Sequence, residues 1–453
     1  MMTGKNYFAL AAFLLGCLGI AGAQTLHEGL FLDGNQTGYR ANPALVKGNG
    51  FLCIRSYATD QLTNIGASAF LYPQEGRVVT ALHSSVPAET FLNNLKAENS
   101  LVRNMTYNLF SYGNARGKAF HTFEINLRGM YGASVPKSIF ELVKTGIKTS
   151  TYSLGNTHVE GNAYAEFAYG HTRKLSDKVT VGARAKLLAG LVSADYRLTR
   201  MDMTLNENAY IADVESEMRV TNSLLSFPKD EDGNYVFRKP TTKGSRKLPG
   251  GYGAAFDLGI VVTPVKGLVL SAAVLDLGGI LWHYGNAGYS QGTASFQGFG
   301  DVSFDQLNGA DLLELIRDAG NDFLGTLKLK PANRINRFEA LPIRINGGVR
   351  YAMPFHERLT AGVTGQYAGF QNMPYWAGRF CLSERPLDWL DIMGNVGADS
   401  HGGVWGIAGT LRIAQCRINM SMDRSFGRYL PGHRSIPLKA CYKVFSVGIT
   451  YEL

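Results

Sequence analysis

Cysteine is scarce and scattered: Cys17, Cys53, Cys381, Cys416 and Cys441 are all there is in 453 residues. That spacing excludes a zinc cluster and a dense disulfide framework. Charge is thin as well, with Asp, Glu, Lys and Arg at 18% against about 25% in ordinary soluble proteins. Because apolar residues reach 45%, a disordered chain is excluded too. Long apolar runs are missing except near the N-terminus. Later apolar stretches are interrupted, by Asp257, Pro264, Lys266 and Asp276 for example, which excludes a bundle of membrane helices. Lys and Arg exceed Asp and Glu by 45 to 36, yet they cluster only in 238–247, so no nucleic-acid partner is expected.

Catalytic signatures are also lacking. Gly288-Tyr289-Ser290-Gln291-Gly292 matches a nucleophile elbow in letters, but an elbow needs a buried strand before it and a helix after it. Here the flanks read as loop. Gly113 to Ala119 falls one residue short of a phosphate loop and reads as a hairpin turn. His27-Glu28 and His356-Glu357 have no second His at i+4, so no metalloprotease helix exists. A His and Ser pair on adjacent strands could serve a barrel phospholipase, but His121, beside Ser111, belongs to the apolar face. No enzyme, metal site or cofactor is expected.

What is present is a pattern of period two. Phe445, Val447, Ile449, Tyr451 and Leu453 alternate with Ser446, Gly448, Thr450 and Glu452. Tyr252, Ala254, Phe256, Leu258 and Ile260 alternate with Gly253, Ala255, Asp257 and Gly259. Strict alternation gives a strand one apolar and one polar face. About seventeen such segments lie between 51 and 453, among them 178–189, 196–205 and 210–220. Many run 10–12 residues, the length of a tilted membrane strand. Long connections (72–103, 132–159, 221–250, 278–340, 425–437) alternate with short ones (58–63, 172–177, 263–267, 353–357, 385–388). An up-and-down barrel requires this, with short turns at one rim and long loops at the other. The weakest segment is 51–57, where Phe51-Leu52-Cys53-Ile54 does not alternate.

The N-terminus reads as a secretory signal: Lys5, an apolar stretch from Phe8 to Ile20, then Ala21-Gly22-Ala23. A rival reading takes Leu14-Leu15-Gly16-Cys17 as a lipoprotein signal; the later site is the cleaner of the two. The fold expected is therefore all-β, a transmembrane up-and-down antiparallel barrel of 14–16 strands with short helices in long loops. Residues 1–23 are the signal, 24–57 a hatch-like segment tucked into or under the barrel and 58–453 the barrel. Short helices are expected at 87–95, 136–144 and 311–319. Tyr131, Tyr169, Tyr351, Tyr367, Trp376, Trp389 and Tyr451 stand near segment ends, where an interfacial girdle belongs. Glu124, Arg128, Glu166, Arg184, Lys186, Glu215, Arg344, Arg350, Arg379 and Arg412 fall on polar faces and are expected to face the lumen. Both signs occur on neighbouring strands, which favours an ion-pairing network filling the interior over a charged, selective pore.

Several spaced stretches carry a resemblance. They are Asn42-Pro43-Ala44, Glu166 to Lys174, Val181 to Gly190, Asp257-Leu258-Gly259, Leu270 to Ile280, and Phe445 to Ile449. Together they resemble an uncharacterised Bacteroidota family of outer-membrane barrels, similar to the fatty-acid transporter FadL and the secretion barrel PorV. The resemblance implies the outer membrane of a Gram-negative bacterium and a hatch motif at Asn42, Pro43 and Ala44. It also implies an assembly signal for the barrel-insertion machinery at Phe445, Val447, Ile449, Tyr451 and Leu453. Two functions follow as expectations: passage of a small hydrophobic molecule past a short hatch, or a non-transporting platform whose long loops dock a secreted or surface partner. Lipid and the insertion machinery are the partners expected of either.

Overall fold

Alternating side chains along a strand point to opposite faces, so a closed sheet turns sequence alternation into inside and outside. A computed structural model of the chain describes residues 26–74, 77–145, 151–205, 210–221, 228–235, 249–296, 330–332, 336–369, 374–427, 429–430, 433–437 and 441–453. Its wall has fourteen antiparallel strands. In chain order they are β1 (Gly50–Thr63), β2 (Glu98–Arg116), β3 (Ala119–Pro136), β4 (Thr157–Lys174), β5 (Val179–Leu205), β6 (Gly251–Val262) and β7 (Leu268–Phe296). The second half comprises β8 (Arg344–Met353), β9 (His356–Ala368), β10 (Tyr375–Leu387), β11 (Leu390–Asp399), β12 (Gly402–Ile413), β13 (Cys416–Ser425) and β14 (Cys441–Glu452). Each pairs with its neighbour in sequence, and β14 returns to β1, from Phe51 opposite Glu452 to Thr63 opposite Cys441. Closure leaves no unpaired edge in the wall, as a sheet in lipid requires.

The outside is apolar. On β6, Tyr252, Phe256 and Leu258 are more than half exposed, while Ala255 and Asp257 between them are fully buried. On β10, Phe380 and Leu382 face out, and Arg379, Cys381 and Ser383 face in. A continuous belt of this kind far exceeds the few hundred Å² of apolar patch that a soluble protein tolerates; it is a lipid-facing surface. Tyr169, Tyr351, Tyr367, Trp376, Trp389 and Tyr451 are all exposed on it. Among the described residues no helix is long and apolar enough to cross a membrane.

Several expectations are corrected. Residues 50–57 are not part of an inner segment; they belong to wall strand β1. The absent alternation has a cause: inward Phe51 and Cys53 pack against Tyr39 and Phe120, so the inner face is apolar where it meets the N-terminal segment. Segment 64–71 is not a wall strand; it contains a short 3-10 turn at Ala67–Ala69. Segments 178–189 and 196–205 form one strand, β5. Gly190 between them does not turn the chain; it makes room for Trp282, whose ring lies 2.3 Å from where a Cβ would stand. Strand Tyr210–Thr221 is not a separate wall span. It sits above β6 in the same column, pairing with Ala194–Leu205 of β5 and Tyr284–Phe296 of β7. The barrel therefore carries an ordered sheet above its long-loop rim. Residues 288–292 lie in the extended part of β7 rather than in a loop.

Short helices occupy Leu26–Phe31 (α1), Ala88–Asn93 (α2) and Lys137–Thr145 (α3). The helix expected at 311–319 and the signal at 1–23 lie outside the described residues. The β2–β3 hairpin turns tightly at Gly117, whose φ of +61° suits glycine.

Candidate functional site

Residues 26–49 cross the inside of the barrel. From His27 to Leu45 almost every residue is buried, although the segment pairs into no wall ladder. α1 lies against β8, β9 and β10. A 3-10 turn at Gly38–Arg40 then leads to Asn42-Pro43-Ala44.

That motif has a made-to-fit seat. Gly182 of β5 and Gly259 of β6 stand directly opposite each other. A Cβ on Gly182 would lie 2.4 Å from the Pro43 carbonyl, and one on Gly259 would lie 1.9 Å from Asn42 Oδ1. The paired glycines thus form a notch in the inner wall. Within it, Asn42 Nδ2 donates to Ser271 Oγ at 2.8 Å and to the carbonyls of Ile260 and Ala272 at 3.1 Å. Asn42 Oδ1 accepts from the Ala44 N–H at 2.8 Å. Thr172 Oγ1 donates to the Pro43 carbonyl at 2.6 Å, and Asn346 Nδ2 to that of Ala41 at 2.8 Å. Gly182→Val should unseat the motif, because the obstacle is backbone and cannot rotate away. The barrel should still fold, and protease applied from the short-turn side should cut the segment at least about tenfold faster than in wild type.

Other ties come from nearly every side of the wall. Glu28 accepts from Ser421 and Ser446 at 2.6 and 3.0 Å. His27 Nε2 lies 3.1 Å from Asp423. The Gly34 N–H donates to Asp391 at 2.7 Å, and Asp33 pairs with Arg350 at 2.9 Å. Ser383 donates to the Phe31 carbonyl at 3.0 Å. Arg40 reaches Glu124 at 2.5 Å and Ser56 and Ser111 at 2.8 Å. The Tyr39 hydroxyl donates to Glu124 at 2.7 Å, and burial raises its pKa, keeping it a donor. Lys47 donates to the Gly29 and Leu32 carbonyls at 2.8 and 2.7 Å; burial lowers its pKa to about 8.

Above the notch runs a buried ionic chain. Arg184 pairs with Glu124 and, at 3.2 Å, with Asp257. Lys186 bridges Asp257 and Asp276, both at 2.6 Å. Arg128 bridges Asp276 and Glu166, both at 2.8 Å, and Arg344 reaches Asp276 at 2.7 Å. Through Glu124 the chain connects to Arg40 of the N-terminal segment. Every charge has a partner, as burial demands.

Nine of the ten charges expected in the lumen are described. Glu124, Arg128, Glu166, Arg184, Lys186 and Arg344 join this chain. On the far side Arg350 meets Asp33, Arg379 donates to Asn395 at 3.1 Å, and Arg412 pairs with Asp391 at 2.5 Å. Glu215 lies on strand Tyr210–Thr221, and its side chain is outside the described part. Phe445, Val447, Ile449, Tyr451 and Leu453 lie on the outer face of β14, with Ile449, Tyr451 and Leu453 exposed.

Sequence reading missed Asp257, Asp276, Tyr39 and Arg40 as site residues. Regular alternation puts Asp276 on the lipid face with Leu270, Ala272 and Val274. A bulge reverses it: Asp276 has a φ of +63°, and the β6 register shifts between Phe256 and Leu258. The extra residue turns its carboxylate inward, and its N–H donates to Asp257 at 2.8 Å. The available signal was an acid followed by Gly278-Gly279 inside an otherwise apolar strand.

Among curated proteins, none matches the sequence. Solved structures similar in shape include the Pseudomonas putida toluene transporter TodX, at 9% identity and a TM-score of 0.47, covering 95% of this chain and 98% of that one. A Pseudomonas aeruginosa FadL homologue has 12% identity and a TM-score of 0.44, covering 96% and 99%. The Ralstonia pickettii toluene transporter TbuX has 10% identity and a TM-score of 0.44, covering 96% of each. With likeness this low, the barrel's description rests on its own strand pairings. Residues 52–423 match the model of DUF5723, a family of unknown function, and the chain belongs to that family.

Proposed function

We propose that this barrel stands in the outer membrane of a Gram-negative bacterium and passes a small hydrophobic solute past its N-terminal hatch. One observation carries the reading. The hatch is buried across the lumen, yet it is held by separate side-chain bonds to many strands and by no ladder of its own. It can leave without breaking a single wall pairing, which a structural core strand could not do. The test is a reversible lock. In a background without native cysteines, Asn42→Cys and Ser271→Cys tie the motif to β7. Locked protein in outer-membrane vesicles should block uptake of a small apolar dye, and reduction should restore it. Equal uptake in both states removes the reading.

The ordered sheet above the long-loop rim supports a second reading, a platform for a secreted or surface partner. Trimming 284–335, which leaves the wall part of β7 up to His283 paired with β6, should then release a partner that co-purifies in stoichiometric amount. Either role needs insertion, and we assign the signal for it to the outer face of β14. The double variant Tyr451→Asp, Leu453→Asp should lose nearly all folded barrel from the membrane fraction, as seen by heat-modifiable gel mobility. Normal insertion of that variant refutes the assignment.

A further inference from the structure

Among the described residues, a cavity of about 60 Å³ lies above the hatch between β1, β2, β3, β4, β7 and the start of β8. By that measure it exceeds the space one water needs. One side of its wall is apolar, where Tyr164, Ile280, Trp282 and Leu341 pack as one buried cluster; the rest is polar and charged. Trp282 is fully buried, and among the described residues its indole Nε1–H has no hydrogen-bond partner. The ring is placed deliberately. Its Cε3–Cζ3–Cη2 edge lies over Gly190 and Gly251, where a Cβ would come within 2.3 and 2.9 Å of it. The edge bearing Nε1 is the opposite one, turned away from those two strands.

A second unpaired group lines the same space. Asn162 Nδ2 donates to Glu339 at 3.0 Å, and this fixes the amide so that Oδ1 can only accept. That oxygen is buried and, among the described residues, unpaired. A buried donor and a buried acceptor left open each cost about 1–3 kcal/mol, so the cavity is built to have both filled. Its charges bear on what fills it. Arg128 and Arg344 are committed to Asp276, whereas Asp60 and Glu339 also line it. A carboxylate would meet two carboxylates. An ammonium would leave the Trp282 donor unanswered.

We infer that this cavity binds the neutral head of a small apolar molecule, a hydroxyl or primary amide that accepts from Trp282 and donates to Asn162. The inference rests on the lumen being the path proposed above, and it names the head group that path selects.

A protein retaining Trp282 alone, with Trp376, Trp389 and Trp405 changed to Phe, reports binding by its emission. In nanodiscs, 1-hexanol and hexanamide should shift that emission saturably. Hexanoate and hexylammonium should bind at least about tenfold more weakly, the equivalent of one lost hydrogen bond. Asn162→Leu should weaken 1-hexanol about tenfold while keeping heat-modifiable mobility. If that variant misfolds, Leu341→Phe, which fills the cavity, should abolish the shift instead. No saturable response to any of the four, or either ion binding as tightly as the alcohol, overturns the site. Dye uptake is a separate readout: hexanol binding without uptake leaves the site standing and removes the transport reading.

Discussion

Deleting residues 26–49 should turn a closed barrel into a conducting one. The wall does not depend on the segment for pairing, because β1 begins at Gly50 and is held by β2 and β14 on either side. A fourteen-strand wall is wide enough to enclose more than its own side chains. What fills the centre is this N-terminal segment, with Leu30, Phe31, Leu32, Ala41 and Leu45 packed against Cys381, Met393 and Ala408 of the far wall. Removing it strips that half of the lumen while the ionic chain stays on the β3–β8 side. In planar bilayers the deletion should show discrete openings and at least about a hundredfold more conductance than wild type, as a water-filled barrel would. An intact barrel that stays closed after deletion would mean that the wall's own side chains seal the lumen.

The second large effect should come from Asp276→Ala. Arg128, Lys186 and Arg344 all converge on this one carboxylate. Asp257 would still hold Lys186, and Glu166 would still hold Arg128, but Arg344 would lose its pairing with Asp276. Breaking a buried pair typically costs about 3–5 kcal/mol, because the surviving charge stays desolvated. Denaturant unfolding in lipid should show at least that loss. Arg344→Met, added to Asp276→Ala, should recover part of it, since the orphaned cation is then removed. A single variant within about 1 kcal/mol of wild type, the range of exposed pairs, would show that the lumen is wet enough to screen the chain.

Much of the wall was legible because its physics is local. Alternation such as Phe445-Ser446-Val447-Gly448-Ile449 states which face meets lipid without knowledge of any partner. Inward charges on regular strands, from Glu124 to Arg412, were legible for the same reason. Where the inner face meets the N-terminal segment, the signal fails. Phe51 and Cys53 are apolar because Tyr39 lies against them, a contact no window of β1 contains. Asp276 was missed because a bulge turns an otherwise outward position inward. Asn42, Gly182 and Gly259 each stood within a recognised stretch, but their meeting in one notch depends on the register of β5 against β6. Arg40, the hatch's link to Glu124, sits in a segment with no periodicity to read.

The central claim is that the sheet closes with its apolar side chains against acyl tails. Its four tryptophans allow a direct test. Trp376 and Trp389 are about half exposed on the outer face at 53% and 51%, whereas Trp282 is inside at 0%. Variants retaining one of these three each, reconstituted in bilayers with brominated acyl chains, report contact with lipid as quenching of emission. The account predicts strong quenching of Trp376 and Trp389 and almost none of Trp282. Equal quenching of all three, or none of any, would contradict it.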